Sequence, residues 1–370
     1  MILARQPFSE KIFLVFPYLF CNYEHMPSYP RNSILPAGEQ CLVHTISRCV
    51  RKARLCGRDP QSGTDYEHRR DWVKERIQAL TEVFAVEVCA YAVMSNHSHL
   101  VLWCRPDLAA SWPAEEVARR WTRIFNRTET VDDALIARLV KDEARIAKMR
   151  EHLGSVSWFM RCLNEHIARQ ANKEDDCTGR FWEGRFKSQL LADDGAVLAC
   201  MAYVDLNPVR AKMAVSLEES EFTSVLDRLT GRKARRGLAE LGEIAEPTPE
   251  QREMLGLARE QATIDAWLCP LGTEAGRHTP LDISEDGYLA LVEWTGLQLA
   301  VGKPGVLSGE MQGIMTRMGL DVEAWVETVR GFGRMFSHVA GSKDKLREQA
   351  RRRGQCRARG TTAAMGMYAG

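Results

Sequence analysis

The stretch CAYAVMSNHSHLVLW, residues 89–103, holds two apolar runs on either side of Ser95-Asn96, with His97 and His99 at the start of the second run. Apolar, β-rich runs around a polar pair predict two strands joined by a tight turn. Side chains alternate between the faces of a sheet, so histidines separated by one residue point to the same face. Two neutral imidazoles side by side can share one divalent cation. For such a pair alone, the competing interpretation is a chance spacing of structural histidines.

A second informative segment is MAYVDLNPVRA, residues 201–211. Apolar residues recur at roughly helical spacing before it, which predicts a helix over residues 193–206 that ends at Pro208. Tyr203 and Asn207 are four positions apart and therefore share one helix face. A phenol and an amide on one face could approach the same metal as the histidine pair. Taken alone, the segment is equally typical of a half-buried aromatic followed by a helix-end signal.

Together these segments resemble a known family of transposases. Residues 92–101, AVMSNHSHLV, look like the HUH motif of IS200-like Y1 transposases. Residues 203–211, YVDLNPVRA, look like the Y-I-x-x-N-P-V-[RK] signature of their REP-associated tyrosine transposase branch. Residues 179–188, GRFWEGRFKS, are similar to the W-x-x-R-F segment that precedes the tyrosine helix in that branch. The resemblance covers residues 38–225 of this chain.

The resemblance implies a metal-dependent single-stranded DNA endonuclease and strand transferase. Tyr203 matches the family's nucleophile, and His97, His99 and Asn207 match the ligands of one Mg²⁺ or Mn²⁺ ion. Such an ion polarises a phosphate oxygen, and an amide oxygen is a hard donor that suits it. Attack by the tyrosine would give a 5′-phosphotyrosine and a free 3′-hydroxyl, so the cleaved linkage is stored for rejoining.

One position departs from the family pattern. The residue between the two histidines is normally bulky and apolar, and here it is Ser98, whose side chain points to the opposite face of the strand. The departure supports a second interpretation, a non-catalytic DNA-binding protein that keeps the fold as a regulator or decayed copy. A third is a metal-dependent phosphodiesterase in which water attacks and Tyr203 is structural.

Basic and aromatic residues interleave ahead of the tyrosine helix. A single strand of DNA needs cations for its phosphates and rings for its bases, although an aromatic core corner with solvated arginines would show the same pattern. The substrate that the resemblance implies is single-stranded DNA with a hairpin. The resemblance leaves open whether the protein acts as a monomer or a homodimer. The predicted DNA-binding residues are Arg48, Arg180, Trp182, Arg185, Lys187 and Arg210.

The composition limits the other possibilities. The 370 residues include 50 Lys and Arg against 49 Asp and Glu, so any nucleic-acid surface must be local. Eleven cysteines without a C-x-x-C pair argue against structural zinc or a disulfide scaffold and favour a cytoplasmic protein. The resemblance adds a bacterial, nucleoid-associated setting. We expect no membrane span and, without a P-loop, no nucleotide cofactor.

The predicted element order is strand, helix, strand, strand, helices, strand, helix. This order is typical of a ferredoxin-like α+β fold, an antiparallel sheet with helices on one face, here with a helical insertion. We expect the open face to carry the histidine pair and a nucleic-acid strand. The predicted regions are an N-terminal extension (1–37, with Met26 as an alternative start), the catalytic domain (38–225), a charged linker (226–275) and an all-α C-terminal appendage with a basic tail (276–370).

Overall fold

The computed structural model describes residues 35, 38–50, 54–60, 62–125, 132–241, 248–272, 279–301 and 307–368. Apart from Leu35, the predicted N-terminal extension lies outside the described residues. The strands are β1 (Cys41–Arg48), β2 (Val86–Val93), β3 (His97–Cys104), β4 (Lys187–Leu191) and β5 (Val339–Ala340). The helices as far as the tyrosine segment are α1 (Arg69–Thr81), α2 (Pro106–Ser111), α3 (Ala114–Phe125), α4 (Asp133–Val140), α5 (Glu143–Leu153), α6 (Val156–Glu174), α7 (Asp194–Asp205) and α8 (Asn207–Arg210). The later helices are α9 (Ser224–Leu241), α10 (Pro249–Ala262), α11 (Glu285–Val301), α12 (Gly309–Arg317), α13 (Trp325–Met335), α14 (Lys343–Arg352) and α15 (Thr361–Met367).

The strands form one sheet in the order β2-β3-β1-β4-β5. Strands β1 to β4 pair antiparallel, and β5 pairs parallel with β4. The predicted hairpin is present: the amide of Met94 donates to the carbonyl of His97 at 2.8 Å, which closes the turn between β2 and β3. The α+β class is confirmed, but the sheet is mixed rather than wholly antiparallel. None of the described helices has the length and apolar character that a membrane span requires.

One face of the sheet packs against α6. The hydroxyl of Thr45 donates to the sulfur of Met160 at 3.5 Å, and the hydroxyl of Ser47 donates to the amide oxygen of Asn164 at 3.0 Å. Both contacts join β1 to α6. Ser98 of β3 lies directly opposite Ser47, so it belongs to this face and is buried.

The opposite face of the sheet packs against α7. The rings of His44 and His99 meet the edge of Tyr203 on α7, and Phe332 of α13 packs on the same tyrosine. The expectation that one face stays open is therefore wrong. The reason is that both faces of β2 and β3 are buried, and a strand buried on both sides has a nearly continuous apolar sequence, as in β2 and in residues 100–104 of β3.

The region after the tyrosine helix also differs from its prediction. The stretch interpreted as a charged linker contains α9 and α10, and the C-terminal region predicted to be all-α supplies β5. Charged side chains hold α9 in place: Arg228 donates to the carbonyls of Cys89 and Cys269 at 3.2 and 2.8 Å, and Lys74 pairs with Asp227 at 2.7 Å. Composition alone does not distinguish charged side chains that pair with distant parts of the fold from the solvated charged side chains of a linker.

A buried carboxylate joins the end of α7 to α9 and α11. Asp205 accepts hydrogen bonds from the hydroxyl of Ser224, the amide of Val225 at 3.0 Å and the hydroxyl of Tyr288 at 2.5 Å. Burial raises the pKa of this carboxyl to about 6, and the hydrogen bonds from Ser224 and Tyr288 act in the opposite direction. Three donors satisfy a group that would otherwise be costly to bury.

We predict that Asp205→Ala lowers the free energy of unfolding by roughly 2–4 kcal/mol, because it leaves three buried donors without an acceptor. Urea denaturation measures the change. Asp133→Ala is the control: this carboxylate is 85% exposed and pairs with Arg119, so its loss should cost less than about 0.5 kcal/mol. Equal effects of the two substitutions would contradict the role of Asp205.

Candidate active site

The predicted site residues come together on the α7 face of the sheet. His97 and His99 project from β3 with their ring centroids 4.8 Å apart. The ring of Tyr203 on α7 lies edge-on to His99 at 5.8 Å. Asn207 begins α8, directly after the tyrosine helix, and is also buried. The period-two spacing of the histidines and the four-residue spacing of Tyr203 and Asn207 thus bring both motifs to one place.

A third histidine, which the sequence analysis missed, belongs to this cluster. Nε2 of His44 lies 2.9 Å from Nδ1 of His99, and the two rings stack at 5.1 Å. His44 is 1% exposed and its ring is 6.0 Å from that of Tyr203. The available signal was a histidine inside the apolar run CLVHTIS of the first strand, but only the pairing of β1 with β3 places it beside His99.

All three imidazoles are held in the neutral form. Burial lowers the pKa of His97 to about 3, and the charges of Arg48 and Arg210 lower it further. Burial likewise lowers the pKa of His44 to about 3, although the neighbouring side chain of Gln189 opposes the shift. For His99, burial and the neighbouring histidines lower the pKa well below its usual value. Neutral imidazole is the form that binds a metal.

Arg210 connects the tyrosine to Asn207. Its guanidinium carbon lies 3.8 Å from the centroid of the Tyr203 ring, in cation–π geometry. Its Nη2 donates to the backbone carbonyl of Tyr203 at 3.2 Å and to Oδ1 of Asn207 at 3.0 Å. The residue was predicted to contact DNA, and it lies within the site, against Tyr203.

Some of the side chains in this site are arranged to bind a divalent cation, and others are not. Nδ1 of His97 is 2.6 Å from Oδ1 of Asn96, so it donates there and leaves Nε2, which is buried without a hydrogen-bond partner, as an available lone pair. Asn207 fits less well, because its oxygen accepts from Arg210 while its Nδ2 is the buried atom without a partner. Among the described residues, no group of three or more His, Cys, Asp or Glu side chains is arranged to hold a metal ion.

Apart from Arg210, the predicted DNA-binding residues divide into two groups. Arg48 and Lys187 lie on the same sheet face as the histidines, since Arg48 is opposite His97 and Lys187 shares with His99 the partner residue Ile46. Arg48 also pairs with Glu183 at 3.6 Å. The remaining three precede β4: Arg180 and Arg185 are exposed, and the indole of Trp182 donates to the carbonyl of Asn164 at 2.8 Å.

The comparisons with known proteins give little beyond this geometry. No family model matches the sequence, and no curated protein matches it. Among solved structures, the chain is similar to a REP-associated tyrosine transposase bound to a REP hairpin, with 14% identity over 60% of this chain and 94% of that chain. The TM-score is 0.29, which marks a weak structural relationship. The site is therefore judged on its own residues.

The histidine cluster predicts a loss of stability in acid. An unfolded histidine titrates near 6.5, whereas His44 and His97 titrate near 3 in the fold. The stability that they contribute is therefore present above the unfolded pKa and is lost as the pH falls from about 6.5 toward 3, by roughly 1.4 kcal/mol per histidine and pH unit. Urea denaturation at pH 7, 6 and 5 in EDTA measures this loss. We expect His44→Gln to have a shallower pH dependence than the wild type; an identical slope would contradict the prediction.

Proposed function

We propose that this protein is a single-stranded DNA endonuclease and strand transferase that uses Tyr203 as its nucleophile. The observation that supports this most is the edge-on contact, at 5.8 Å, between Tyr203 and His99. Two motifs that are far apart in the sequence supply a nucleophile and a pair of neutral imidazoles to one face of the sheet. The resemblance of both motifs to those of REP-associated tyrosine transposases makes a hairpin-containing strand the proposed substrate.

The proposed reaction is a transesterification. The phenolic oxygen of Tyr203 attacks the phosphorus of a phosphodiester, a new O–P bond forms, and the bond to the 3′-oxygen breaks. The proton lost by the phenol is balanced by the one gained at the 3′-hydroxyl. Neither water nor a nucleotide is consumed, and a second 3′-hydroxyl reverses the step to join a new strand.

The chain's own residues would divide the remaining work. His97 and His99 would hold a Mg²⁺ or Mn²⁺ ion, which when bound supplies a Lewis acid for the attacked phosphate. The guanidinium of Arg210, against the tyrosine ring, would stabilise the phenolate that forms when Tyr203 loses its proton. Asn207 would serve as third ligand once Arg210 releases its oxygen.

A second candidate function is non-catalytic DNA binding, and two observations favour it. Tyr203 is 2% exposed beneath Phe332, so a phosphate reaches the phenol only after this packing opens. The oxygen of Asn207 is already engaged by Arg210. A protein that keeps the fold but binds DNA without cleaving it would show both features.

The two functions are separated by a denaturing gel of hairpin DNA labelled at its 3′ end and incubated with Mn²⁺ or Mg²⁺. Tyrosine attack leaves the 3′-labelled fragment covalently bound to protein, so the label should migrate with the polypeptide. Tyr203→Phe should abolish this adduct. Tyr66→Phe, a partly exposed tyrosine on the other side of the sheet, is the matched control and should retain it.

Each other outcome of that gel assigns a different function. Metal-dependent cleavage that survives Tyr203→Phe would identify water as the nucleophile. Tight binding of the hairpin without cleavage in either metal would establish the non-catalytic function, and Ser98→Leu would then test whether a bulky residue under the strand restores activity.

We predict that the wild-type protein binds Mn²⁺ and that His97→Ala weakens this binding at least about tenfold, because half of the imidazole pair is lost. The loss of the free-Mn²⁺ electron paramagnetic resonance signal on binding measures this directly, without DNA or turnover. His68→Ala, which removes a surface imidazole paired with Glu174, should leave binding unchanged. Equal affinities of all three proteins would contradict the assignment of the ligands.

A further inference from the structure

A groove lies between α1 and α6, in the helical layer on the side of the sheet away from Tyr203. Its volume is about 560 Å³. The helices run antiparallel, since Arg69 at the start of α1 pairs with Glu174 at the end of α6. Each wall is a stripe of side chains three or four positions apart, which is the spacing that puts residues on one face of a helix. The charged and aromatic lining residues are Trp72, Glu75 and Arg76 of α1 and His166, Arg169 and Lys173 of α6.

The groove is rich in positive charge. Three cationic side chains line it against the carboxylate of Glu75, in a chain whose net charge is only +1. One of the three, Arg169, pairs with Glu165 at 2.5 Å, so Arg76 and Lys173 supply the positive charge of the groove. The charge of Arg76 also lowers the pKa of His166, after the larger effect of burial, so these two side chains face each other across the groove. A local concentration of cations in a neutral protein is what the composition requires of any nucleic-acid surface.

The side chain of Arg76 is the one that indicates an anionic ligand. Its Nε is buried without a hydrogen-bond partner, and no carboxylate of the described residues pairs with its guanidinium. Burial lowers its pKa, which means that its charge is held at a cost. Arg69, two helical turns earlier on the same helix, shows the contrast: it is fully buried and is neutralised by Glu174 and Asp175. A half-buried guanidinium that no carboxylate in the described part of the chain neutralises, in a groove with another cation, is suited to bind a phosphate.

We propose that the groove between α1 and α6 binds backbone phosphates of the DNA substrate, with Arg76 as the central contact and Lys173 and Arg169 beside it. This inference rests on the proposed function for the identity of the DNA. The α6 layer and Tyr203 lie on opposite faces of the sheet, so the groove contacts DNA away from the cleaved phosphate. Its role is to increase affinity, and it takes no part in the chemical step.

Fluorescence anisotropy with a labelled hairpin tests this, in Tyr203→Phe protein so that no cleavage intervenes. The double substitution Arg76→Gln, Lys173→Gln should weaken binding about tenfold at moderate salt and reduce the slope of log affinity against log salt by about two, one for each lost phosphate contact. Arg259→Gln together with Arg252→Gln, both exposed on α10, removes the same charge elsewhere and should change neither quantity.

Two further measurements distinguish a loss of DNA contacts from misfolding of the variant and from binding of small anions. Because Arg76 pairs with no carboxylate of the described residues, the double substitution should not lower the urea midpoint. Unchanged hairpin affinity and salt slope in the double variant would overturn the proposal. A second outcome would also overturn it: the wild type binds inorganic phosphate tightly, the double variant does not, and both bind the hairpin equally well. The groove would then be a site for small anions.

The proposed function and the groove can fail separately. In protein with Tyr203 intact, saturating DNA should give the same rate of adduct formation with and without the groove substitutions. If no adduct forms but hairpin binding depends on Arg76, the endonuclease function fails and the groove stands. If the adduct forms and binding is indifferent to Arg76 and Lys173, the groove fails and the endonuclease stands.

Discussion

The arrangement of this protein depends on one buried carboxylate. Asp205 follows Tyr203 by two positions, so whatever fixes Asp205 also fixes the helix end from which the tyrosine projects. Its three donors come from α9 and α11, both of which follow the segment that carries the motifs. The tyrosine is therefore positioned from two sides, by the histidines of the sheet below it and by later helices that hold its own helix in place.

The electrostatics of the site follow from the same burial. Burial lowers the pKa of all three imidazoles, and the charge of Arg210 acts in the same direction, so they stay neutral well below neutral pH. Arg210 provides the nearby charge, stacked on the tyrosine and bonded to Asn207. In the proposed reaction, the attacked phosphate would lie near a neutral pair of metal ligands and near the cation of Arg210, and both favour the developing negative charge.

Local periodicity made the central elements predictable. The alternation around His97 and His99 identified the hairpin, and the helical spacing before Pro208 identified α7 within one residue at each end. Features that depend on pairing between distant parts of the chain could not be predicted from local patterns. His44 joins the site only through the register of β1 with β3, β5 is two residues long, and the linker charges of α9 find partners far away in sequence. The second helical layer was not predicted, although the apolar runs of β2 and of residues 100–104 in β3 carried its signal.

The position of β5 also affects how the protein can be made. Strand β4 pairs on one side with β1 and on the other with residues 339–340, which lie far later in the sequence. A polypeptide still on the ribosome therefore has β4 as an unpaired sheet edge until residues 339–340 have been synthesised, and such edges are sites of association with other chains. Long-range pairing of this kind slows folding. Residues 339–340 thus complete the sheet on which the tyrosine helix lies, and a chain that stops before them would leave the hairpin and histidines on an incomplete, aggregation-prone sheet.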